Sequence, residues 1–379
     1  MAHLDHGAFG ATPASVQRAQ QRVREEIHAN PSRALGAAMA DRVGHTRRHL
    51  ASFVGADPDG CALVPSVDAG IAMVLRSLDL GAGDEILTVD TCRAPVTAAV
   101  GSTCRETGAT HRIVSAPPLV RAPAEPEPER ALVATVTAGM NTRTRLVVVD
   151  HVVAATARWQ PVDQIVTAAR RVGAAVLVDG TGTPGSLAVA VSKLGADFWV
   201  GDLHTWAFAP RHTVLLAVAP VWRERLRPLV AQDPRQASYP GRVEALDLLD
   251  VTAWLAAPAG VFALRSLGST AVREHNGALA AYGQAVVARA LGLDHDQLPG
   301  SGGPVRLPVR VVPLPAGVAT SAGAASALQQ RIADELATEV TVGGWRGGGL
   351  LRLSAQVYNL AEEYDRLADR LPGLLRRTG

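Results

Sequence analysis

The hydrophobic positions of this chain follow two alternating patterns. Short continuous apolar runs predict buried β-strands, and segments with apolar residues three or four positions apart predict amphipathic helices. The strands expected in the first part of the chain are 60–65, 84–89, 145–150, 174–179, 198–200 and 213–217. The helices expected there are 14–30, 36–54, 69–78 and 93–107. Strands separated by helices are typical of an α/β fold with a mostly parallel sheet.

Two of the buried runs end in an aspartate. The apolar run 146–149 is followed by Asp150, and the run 175–178 is followed by Asp179. Ligands of open parallel sheets bind beyond the carboxyl ends of the strands. We therefore expect a functional site at this edge of the sheet.

The last third of the chain predicts a smaller unit. A break rich in glycine and proline spans 299–304. The elements expected after it are a strand at 305–313, a helix at 322–338, a strand at 350–355 and a helix at 361–376. This order is typical of a small α+β domain. Earlier in the chain, 117–130 is expected to form a polar, proline-rich surface loop.

Composition narrows the class of protein. A formal net charge of +2 over 379 residues argues against nucleic acid as the main partner. No apolar run reaches about eighteen residues, so we expect no membrane span, and residues 1–20 show no signal-peptide pattern. Cys61, Cys92 and Cys104 form no C-x-x-C pair, which favours free thiols in a reducing, cytoplasmic setting.

A series of short motifs runs in order through nearly the whole chain. They lie at 4–13, 55–58, 83–87, 142–146, 150–152, 178–180, 194–198, 204–206, 253–258, 351–354 and 358–359. Together they resemble the class V aminotransferases, and among these the isopenicillin N epimerase-like proteins and the cysteine desulfurases. The resemblance implies a fold type I α/β architecture. Its large domain has a mostly parallel, seven-stranded sheet flanked by helices, and a smaller α+β domain follows.

The resemblance also implies an organisation into units and an oligomeric state. Residues 1–14 would form an N-terminal segment that joins the small domain, 15–258 the large domain, and 259–379 the small domain. The family builds its sites at a dimer interface. We therefore expect a cytoplasmic homodimer.

The family resemblance implies pyridoxal phosphate (PLP) as cofactor, held by a lysine through a Schiff base. Segment 201–210 resembles the segment that carries this lysine, and Thr205 stands at its position. The chain has one lysine, Lys193, in a different segment. Asp179 matches the partner of the pyridine nitrogen, and Arg352 matches the arginine that binds a substrate carboxylate.

Other positions depart from the family pattern. The phosphate loop is degenerate at Asp68, Ala69 and Gly70, and the charge of Asp68 would repel a phosphate. Arg93 stands where an aromatic residue stacks on the ring, and the phosphate contact of the second subunit aligns with 247–250. We therefore expect a site without a cofactor, with PLP bound non-covalently as the alternative.

The remaining polar side chains suggest roles in a site that takes a small carboxylate-bearing molecule. His204, Asp179 and His151 are the available acid–base groups, next to Thr205. Cys92 is a candidate nucleophile. The candidate substrate-binding residues are Arg352, His6 and Arg93.

Three further motifs carry little weight. Gly180-x-Gly182-x-x-Gly185 matches a dinucleotide fingerprint, but Pro184 disfavours the helix start that NAD binding requires. His45 and His49 lie four apart on an expected helix without an acidic partner, so we expect no metal site. Segment 343–349, rich in glycine, is expected to be a flexible connection rather than an anion cradle.

Three functions remain open from the sequence. The first is a divergent, isopenicillin N epimerase-like enzyme of specialised natural-product metabolism that works without PLP on a carboxylate- or amino-acid-derived metabolite. The second is a non-catalytic partner subunit of an active homologue. The third is an epimerase, lyase or aminotransferase that binds PLP non-covalently.

Overall fold

The computed structural model describes residues 1–119, 127–231, 238–245, 249–294, 298–300 and 305–377. The strands are β1 Ala2–His3, β2 Cys61–Val64, β3 Glu85–Val89, β4 Thr110–Val114, β5 Thr144–Asp150, β6 Val152–Val153, β7 Arg158–Trp159, β8 Ala175–Asp179, β9 Phe198–Asp202, β10 Val214–Val218, β11 Val309–Pro313, β12 Thr338–Glu339, β13 Thr341–Trp345 and β14 Gly348–Ser354. The helices are α1 Ala14–Ala29, α2 Pro31–Ala34, α3 Met39–Val54, α4 Val67–Arg76, α5 Ala94–Thr107, α6 Pro128–Gly139, α7 Val162–Val172, α8 Val191–Leu194, α9 Pro220–Arg223, α10 Gly241–Glu244, α11 Thr252–Ser266, α12 Ser269–Ala290, α13 Ala322–Leu336 and α14 Ala361–Arg376.

A seven-stranded sheet organises the first part of the chain, in the order β2-β10-β9-β8-β5-β3-β4. β10 runs antiparallel to β9 and β2, and the other neighbours are parallel. No helix separates β9 from β10, and such short connections join antiparallel strands. The predicted α/β fold with a mostly parallel sheet is confirmed.

Helices cover both faces of this sheet, so its central strands are buried on both sides. Val147 and Val149 of β5 pack into one core with side chains of α3, α6, α7 and α11. Leu146 and Val148 of the same strand pack into the other core with side chains of α4 and α5. Successive side chains of a strand point to opposite faces, which explains the continuous apolar runs of the sequence.

The C-terminal unit is built on the antiparallel sheet β11-β14-β13. α12 and α14 pack with α13 around a separate core that includes Leu4. β1 pairs in parallel with β12, with Ala2 opposite Thr338. The first residues of the chain therefore contact the C-terminal unit, while the division into domains at 14 and 258 stays a prediction.

α11 and α12 connect the two parts of the chain. In the described residues, no single helix is both long and apolar enough to cross a membrane. α11 and α12 pass that test of length and composition only as a pair, and they are bent by 75° at the break between them.

Three stretches differ from the prediction. β4 was not expected, because only Ile113 and Val114 are apolar at this edge of the sheet. α6 begins at Pro128, inside the expected surface loop, of which 120–126 lie outside the described residues. Segment 343–349 forms a β-hairpin rather than a flexible connection, because Arg346 and Gly347 turn the chain at positive φ. Of the predicted break at 299–304, residues 301–304 lie outside the described part of the chain.

The contact between α12 and α14 is too close for an added methyl group. A Cβ atom on Gly283 would lie 2.2 Å from Cδ1 of Tyr364, whose side chain is fully buried. We expect Gly283→Ala to lower the free energy of unfolding by about 1–3 kcal/mol through overpacking, measured by urea denaturation. Gly323→Ala is the control, because Gly323 is also helical and has no atom within 4 Å of that position. Equal stability of both variants would contradict this expectation.

Candidate active site

Three aspartates lie at the carboxyl edge of the central sheet. Asp150 ends β5, Asp179 ends β8 and Asp202 ends β9, and each is at most 3% exposed. Asp150 and Asp179 occupy paired positions on neighbouring strands. Carboxylates this close in a buried site must be paired, hydrogen-bonded or protonated. Asp202 was not singled out from the sequence, although it also ends an apolar strand.

Asp179 is held by an arginine and a threonine. Nε of Arg93 donates to Oδ2 of Asp179 at 3.0 Å, and Nη2 of Arg93 lies 2.9 Å from the same oxygen. Oδ1 of Asp179 accepts from the backbone N–H of Thr181 at 2.9 Å and from the Thr181 hydroxyl at 2.5 Å. The partner of this carboxylate is therefore a cation that the chain itself supplies.

Arg93 also contacts the degenerate phosphate loop. Its Nη2 donates to Oδ1 of Asp68 at 2.8 Å, in the first turn of α4. Burial opposes the charge of Arg93, but Asp179 and Asp68 together raise its pKa. In the sequence, Arg93 and Asp68 are two separate departures from the family pattern. The structure shows that they form an ion pair.

Asp150 lies fully buried beside this pair. Its Oδ2 has no hydrogen-bond partner among the described residues. Burial, and then the charge of Asp179, raise the pKa of Asp150 well above its usual value. Burial beside the charge of Asp179 therefore favours the protonated form of Asp150, which limits the negative charge at this edge.

Cys92 faces the same buried region. Its Sγ donates to the carbonyl oxygen of Val148 at 3.7 Å. Burial, followed by the charge of Asp150, raises the pKa of the Cys92 thiol well above its usual value. This environment disfavours the predicted nucleophilic role, because attack requires a thiolate.

Thr205 is part of a tight turn around Asp202. The Thr205 hydroxyl donates to Oδ2 of Asp202 at 2.5 Å, and the Thr205 backbone N–H donates to the same oxygen at 3.1 Å. Oδ1 of Asp202 accepts from the backbone N–H of Gly182 at 2.6 Å. Nδ1 of the half-buried His204 lies 3.7 Å from Asp202 and makes no hydrogen bond to a described residue. His204 is therefore the group of this turn with capacity to accept a proton.

His6 fixes this turn from the N-terminal segment. Its Nε2 donates to the carbonyl oxygen of Thr205 at 2.7 Å, and its Nδ1 accepts from the Tyr358 hydroxyl at 2.7 Å. The ring is fully buried, and this desolvation lowers the pKa of His6 to about 4. His6 is thus a neutral group that positions Thr205, behind the surface at which a substrate would bind.

His151 follows Asp150 directly and is also buried. Its backbone N–H donates to the carbonyl oxygen of Asp179 at 2.8 Å, and its Nδ1 has no partner among the described residues. Desolvation lowers the pKa of His151 to about 4. It is therefore neutral at pH 7 and available as a base only to a group that enters the buried edge.

Arg352 projects from β14 into a cavity between the two units. Its Nη1 donates to the carbonyl oxygen of Ala154 at 3.1 Å, and its Nη2 donates to the Thr341 hydroxyl at 2.9 Å and lies 3.5 Å from Asp5. Nε is buried without a partner among the described residues. Burial lowers the pKa of Arg352, and Asp5 opposes this shift. The cavity has a volume of about 50 Å³, and its walls include Thr181, Ser186, Trp206 and Val309.

The N-terminus of α4 lies next to the Arg93 pair. The hydroxyl of Ser66 caps the helix and accepts from the backbone N–H of Ala69 at 3.0 Å. Gly70 is required for close packing, because a Cβ atom there would lie 2.9 Å from Val200 of β9. The first turn of a helix favours anions through its free N–H groups.

The weaker motifs do not form sites. Residues 180–185 form turns rather than a helix start, so the dinucleotide fingerprint is a coincidence of spacing. No group of three or more metal-binding side chains occurs in the part of the chain that the structure describes, and His45 and His49 belong to no such group. Of the expected second-subunit phosphate contact at 247–250, residues 247 and 248 lie outside the described ranges.

The two buried histidines make stability depend on pH. The pKa of His6 and of His151 is about 4 in the folded protein and about 6.5 in the unfolded chain. The stability that these neutral histidines contribute is complete above about pH 6.5. As the pH falls towards 4, the free energy of unfolding decreases by about 1.4 kcal/mol per pH unit for each histidine. We expect His151→Asn to reduce this slope by about that amount in urea unfolding between about pH 4.5 and 6.5.

The difference between the pH slopes of wild type and His151→Asn isolates the contribution of His151. Asp150, whose raised pKa gives a slope of opposite sign, is present in both proteins and cancels. The exposed His275 provides the control, since His275→Asn should leave the slope unchanged. Equal slopes for wild type and His151→Asn would contradict the assignment.

The thiols should be unreactive in the folded protein. Burial raises the pKa of Cys61 to about 12 and raises the pKa values of Cys92 and Cys104. We expect slow reaction with a disulfide reagent at about pH 7.5, and rapid reaction of all three cysteines in urea. Fast modification of native Cys92, located by peptide mass analysis, would restore it as a candidate nucleophile.

Solved structures of PLP enzymes share this fold. A lysine-to-alanine mutant of C-DES, with glycine covalently linked to the PLP cofactor, has a TM-score of 0.79 and 19% identity, and the match covers 98% of this chain and 96% of that one. The apo cysteine desulfurase from Thermococcus onnurineus NA1 also has a TM-score of 0.79, with 18% identity over 99% and 95% of the two chains. The expectation of a site without a cofactor is therefore wrong: the matched fold points to PLP.

The residues present fit PLP in part. Asp179 suits the ring nitrogen, and the Ser66-capped start of α4 suits the phosphate. Thr205 offers no amine, and its hydroxyl is committed to Asp202. Arg93 lies on the carboxylate that the ring nitrogen requires. Asp179 and the start of α4 thus suit PLP, whereas Thr205 and the contact of Arg93 with Asp179 do not.

Sequence relatives cover the same length. The chain is 31% identical to isopenicillin N epimerase of Streptomyces clavuligerus over 98% of this chain and 94% of that protein. It is 27% identical to a putative L-cysteine desulfhydrase of Oryza sativa over 99% and 85% of the two chains. The family described as aminotransferase class-V matches residues 2–233. This chain therefore belongs to the class V aminotransferase family.

Proposed function

We propose that this chain is an enzyme of specialised metabolism that binds PLP non-covalently and acts on an amino-acid-derived metabolite. The observation that carries the proposal is the buried Asp179 carboxylate, which ends β8 beside a cation in a site without lysine. A carboxylate in this position keeps the pyridine nitrogen protonated when PLP is bound. The isopenicillin N epimerases among the relatives favour epimerisation over lyase or aminotransferase chemistry.

The position of the single lysine supports non-covalent binding. Lys193 is exposed on the short helix α8, and the Thr205 side chain donates to Asp202. In the C-DES mutant, the covalent partner of PLP is the amino acid glycine. A protein of this fold thus holds PLP bonded to an amino acid, and we infer the same mode for this chain, with the substrate amine in place of a lysine.

Arg352 supports an amino-acid substrate. Its guanidinium is buried in the cavity wall, and its Nε is left without a partner among the described residues. An arginine pairs with a carboxylate through two parallel N–H donors. A substrate carboxylate would compete with Asp5, which lies 3.5 Å from Nη2. Since ligand pockets usually enclose about 300 Å³ or more, the cavity must widen to admit a whole metabolite.

His204 is the proposed base. PLP, when bound, supplies an electron sink for a proton removed next to the substrate amine. Lysine is absent from the site, so another side chain must accept that proton. His204 is half-buried beside Thr205, and its Nδ1 lies 3.7 Å from Asp202 without a hydrogen-bond partner among the described residues. Asp202 is then the group that orients His204.

The first test is a PLP titration of wild type and Lys193→Arg. The variant contains no lysine, so its only amine is the N-terminus. We expect both proteins to gain a cofactor absorbance band when PLP and an amino acid are added together. Reduction with borohydride should leave the protein mass unchanged, because the substrate and not the chain is bonded to PLP. Absence of bound cofactor under every condition would contradict the proposal.

Two further variants separate the parts of the proposal. Thr205→Lys should retain PLP through reduction as a covalent adduct, since it restores an amine to the site. Arg352→Gln should reduce the effect of an added amino acid on cofactor binding. It should leave the binding of PLP in the absence of an amino acid unchanged. Full retention of amino-acid binding in Arg352→Gln would show that Arg352 does not hold the carboxylate.

A further inference from the structure

Arg93 occupies the oxygen of Asp179 that a bound pyridine ring would need. We propose that Arg93 is a displaceable internal cation that stands in for the ring nitrogen of PLP and thereby sets the affinity of the site for its cofactor. The inference rests on the proposed function for the identity of the ligand. The contacts of Arg93 itself are properties of the chain.

The geometry of Asp179 prevents the Arg93 guanidinium and a pyridinium ring from binding this carboxylate at the same time. Nε and Nη2 of Arg93 both approach Oδ2, at 3.0 and 2.9 Å. Oδ1 already accepts two hydrogen bonds from Thr181. A third donor with the bulk of an aromatic ring can reach this carboxylate only where Arg93 now lies. Cofactor binding therefore exchanges one cation on Asp179 for another.

The exchange preserves the charge balance of the site. Asp179 is 2% exposed, so a state with no cation would leave a buried charge unpaired, at a cost of several kcal/mol. Arg93 removes that cost when PLP is absent, and the pyridinium removes it when PLP is bound. Asp179 thus has a cationic partner both before and after the exchange.

Arg93 has a second partner towards solvent. Its side chain is 22% exposed, and the Asp68 side chain to which it donates is 52% exposed. An outward rotation releases Asp179 while the contact with Asp68 is kept. The retained pair also neutralises Asp68 at the start of α4, where its charge alone would repel a phosphate. Arg93 and Asp68 therefore act as one unit.

The test is the affinity of Arg93→Ala for PLP and for pyridoxal, measured by equilibrium dialysis with absorbance detection. We expect at least about tenfold tighter binding of pyridoxal than in wild type, because a charged hydrogen bond no longer has to be broken. The gain for PLP should be smaller, because Asp68 then lacks its cation at the start of α4, where a phosphate would bind. Pyridoxal lacks the phosphate, so its gain separates competition at the ring from contact with the phosphate. Arg145→Ala is the matched control, since Arg145 forms an ion pair with Asp84 at 2.7 Å and makes no contact with Asp179.

Stability gives a second readout. Without ligand, Arg93→Ala should melt below wild type, because Asp179 has lost its cation, and pyridoxal should raise its melting temperature more than that of wild type. Arg93→Gln keeps a polar side chain without the charge. It should change affinity in the same direction if Arg93→Ala does not fold.

The outcomes separate this inference from the proposed function. If wild type binds pyridoxal and the Arg93 variants bind it equally well or more weakly, the role of Arg93 is overturned and the proposed function stays in place. Binding by the variants alone would support the role of Arg93 and contradict PLP use by the native chain. Absence of binding in every protein would overturn both.

Discussion

Charge at the carboxyl edge of the central sheet is the constraint on which the site depends. Parallel pairing of β5, β8 and β9 brings Asp150, Asp179 and Asp202 to one buried edge. Each has a different environment: burial and the charge of Asp179 raise the pKa of Asp150, Asp179 is paired with Arg93, and Asp202 accepts from N–H and O–H donors of the following turn. Since an unpaired buried charge is costly, a ligand that enters must replace one of these partners.

The second constraint is the N-terminal segment, which ties the C-terminal unit to this edge. The backbone of Leu4 bonds to Glu339 and accepts from Ser354. Asp5 lies against Arg352, and His6 holds the Thr205 turn through its carbonyl oxygen. A shift of the C-terminal unit is therefore transmitted to both the carboxylate-binding arginine and the turn beside Asp202.

Membership in the class V aminotransferase family and the chemistry of the site give different information. The family shows the fold and points to PLP. The contact of Thr205 with Asp202 and the Arg93–Asp68 pair support our proposal that PLP is held without a bond to the chain. These changes are mutually consistent, because Arg93 lies between the carboxylates of Asp68 and the buried Asp179 and contacts both. In this proposal, Asp179 is the counter-ion of a pyridinium in a site without a lysine.

The sequence by itself determined the α/β architecture, because apolar runs such as 146–149 and 175–178 follow directly from burial on both faces of a sheet. It also identified Asp150, Asp179, Arg93 and Asp68 as unusual strand-end or loop residues. Only the tertiary structure decided which of them meet, because ion pairs between residues far apart in the chain depend on strand order and side-chain direction. The Arg93–Asp179 pair, the raised pKa of the Cys92 thiol and the hairpin at 343–349 all arise from such contacts or from backbone turns that carry no periodic signal.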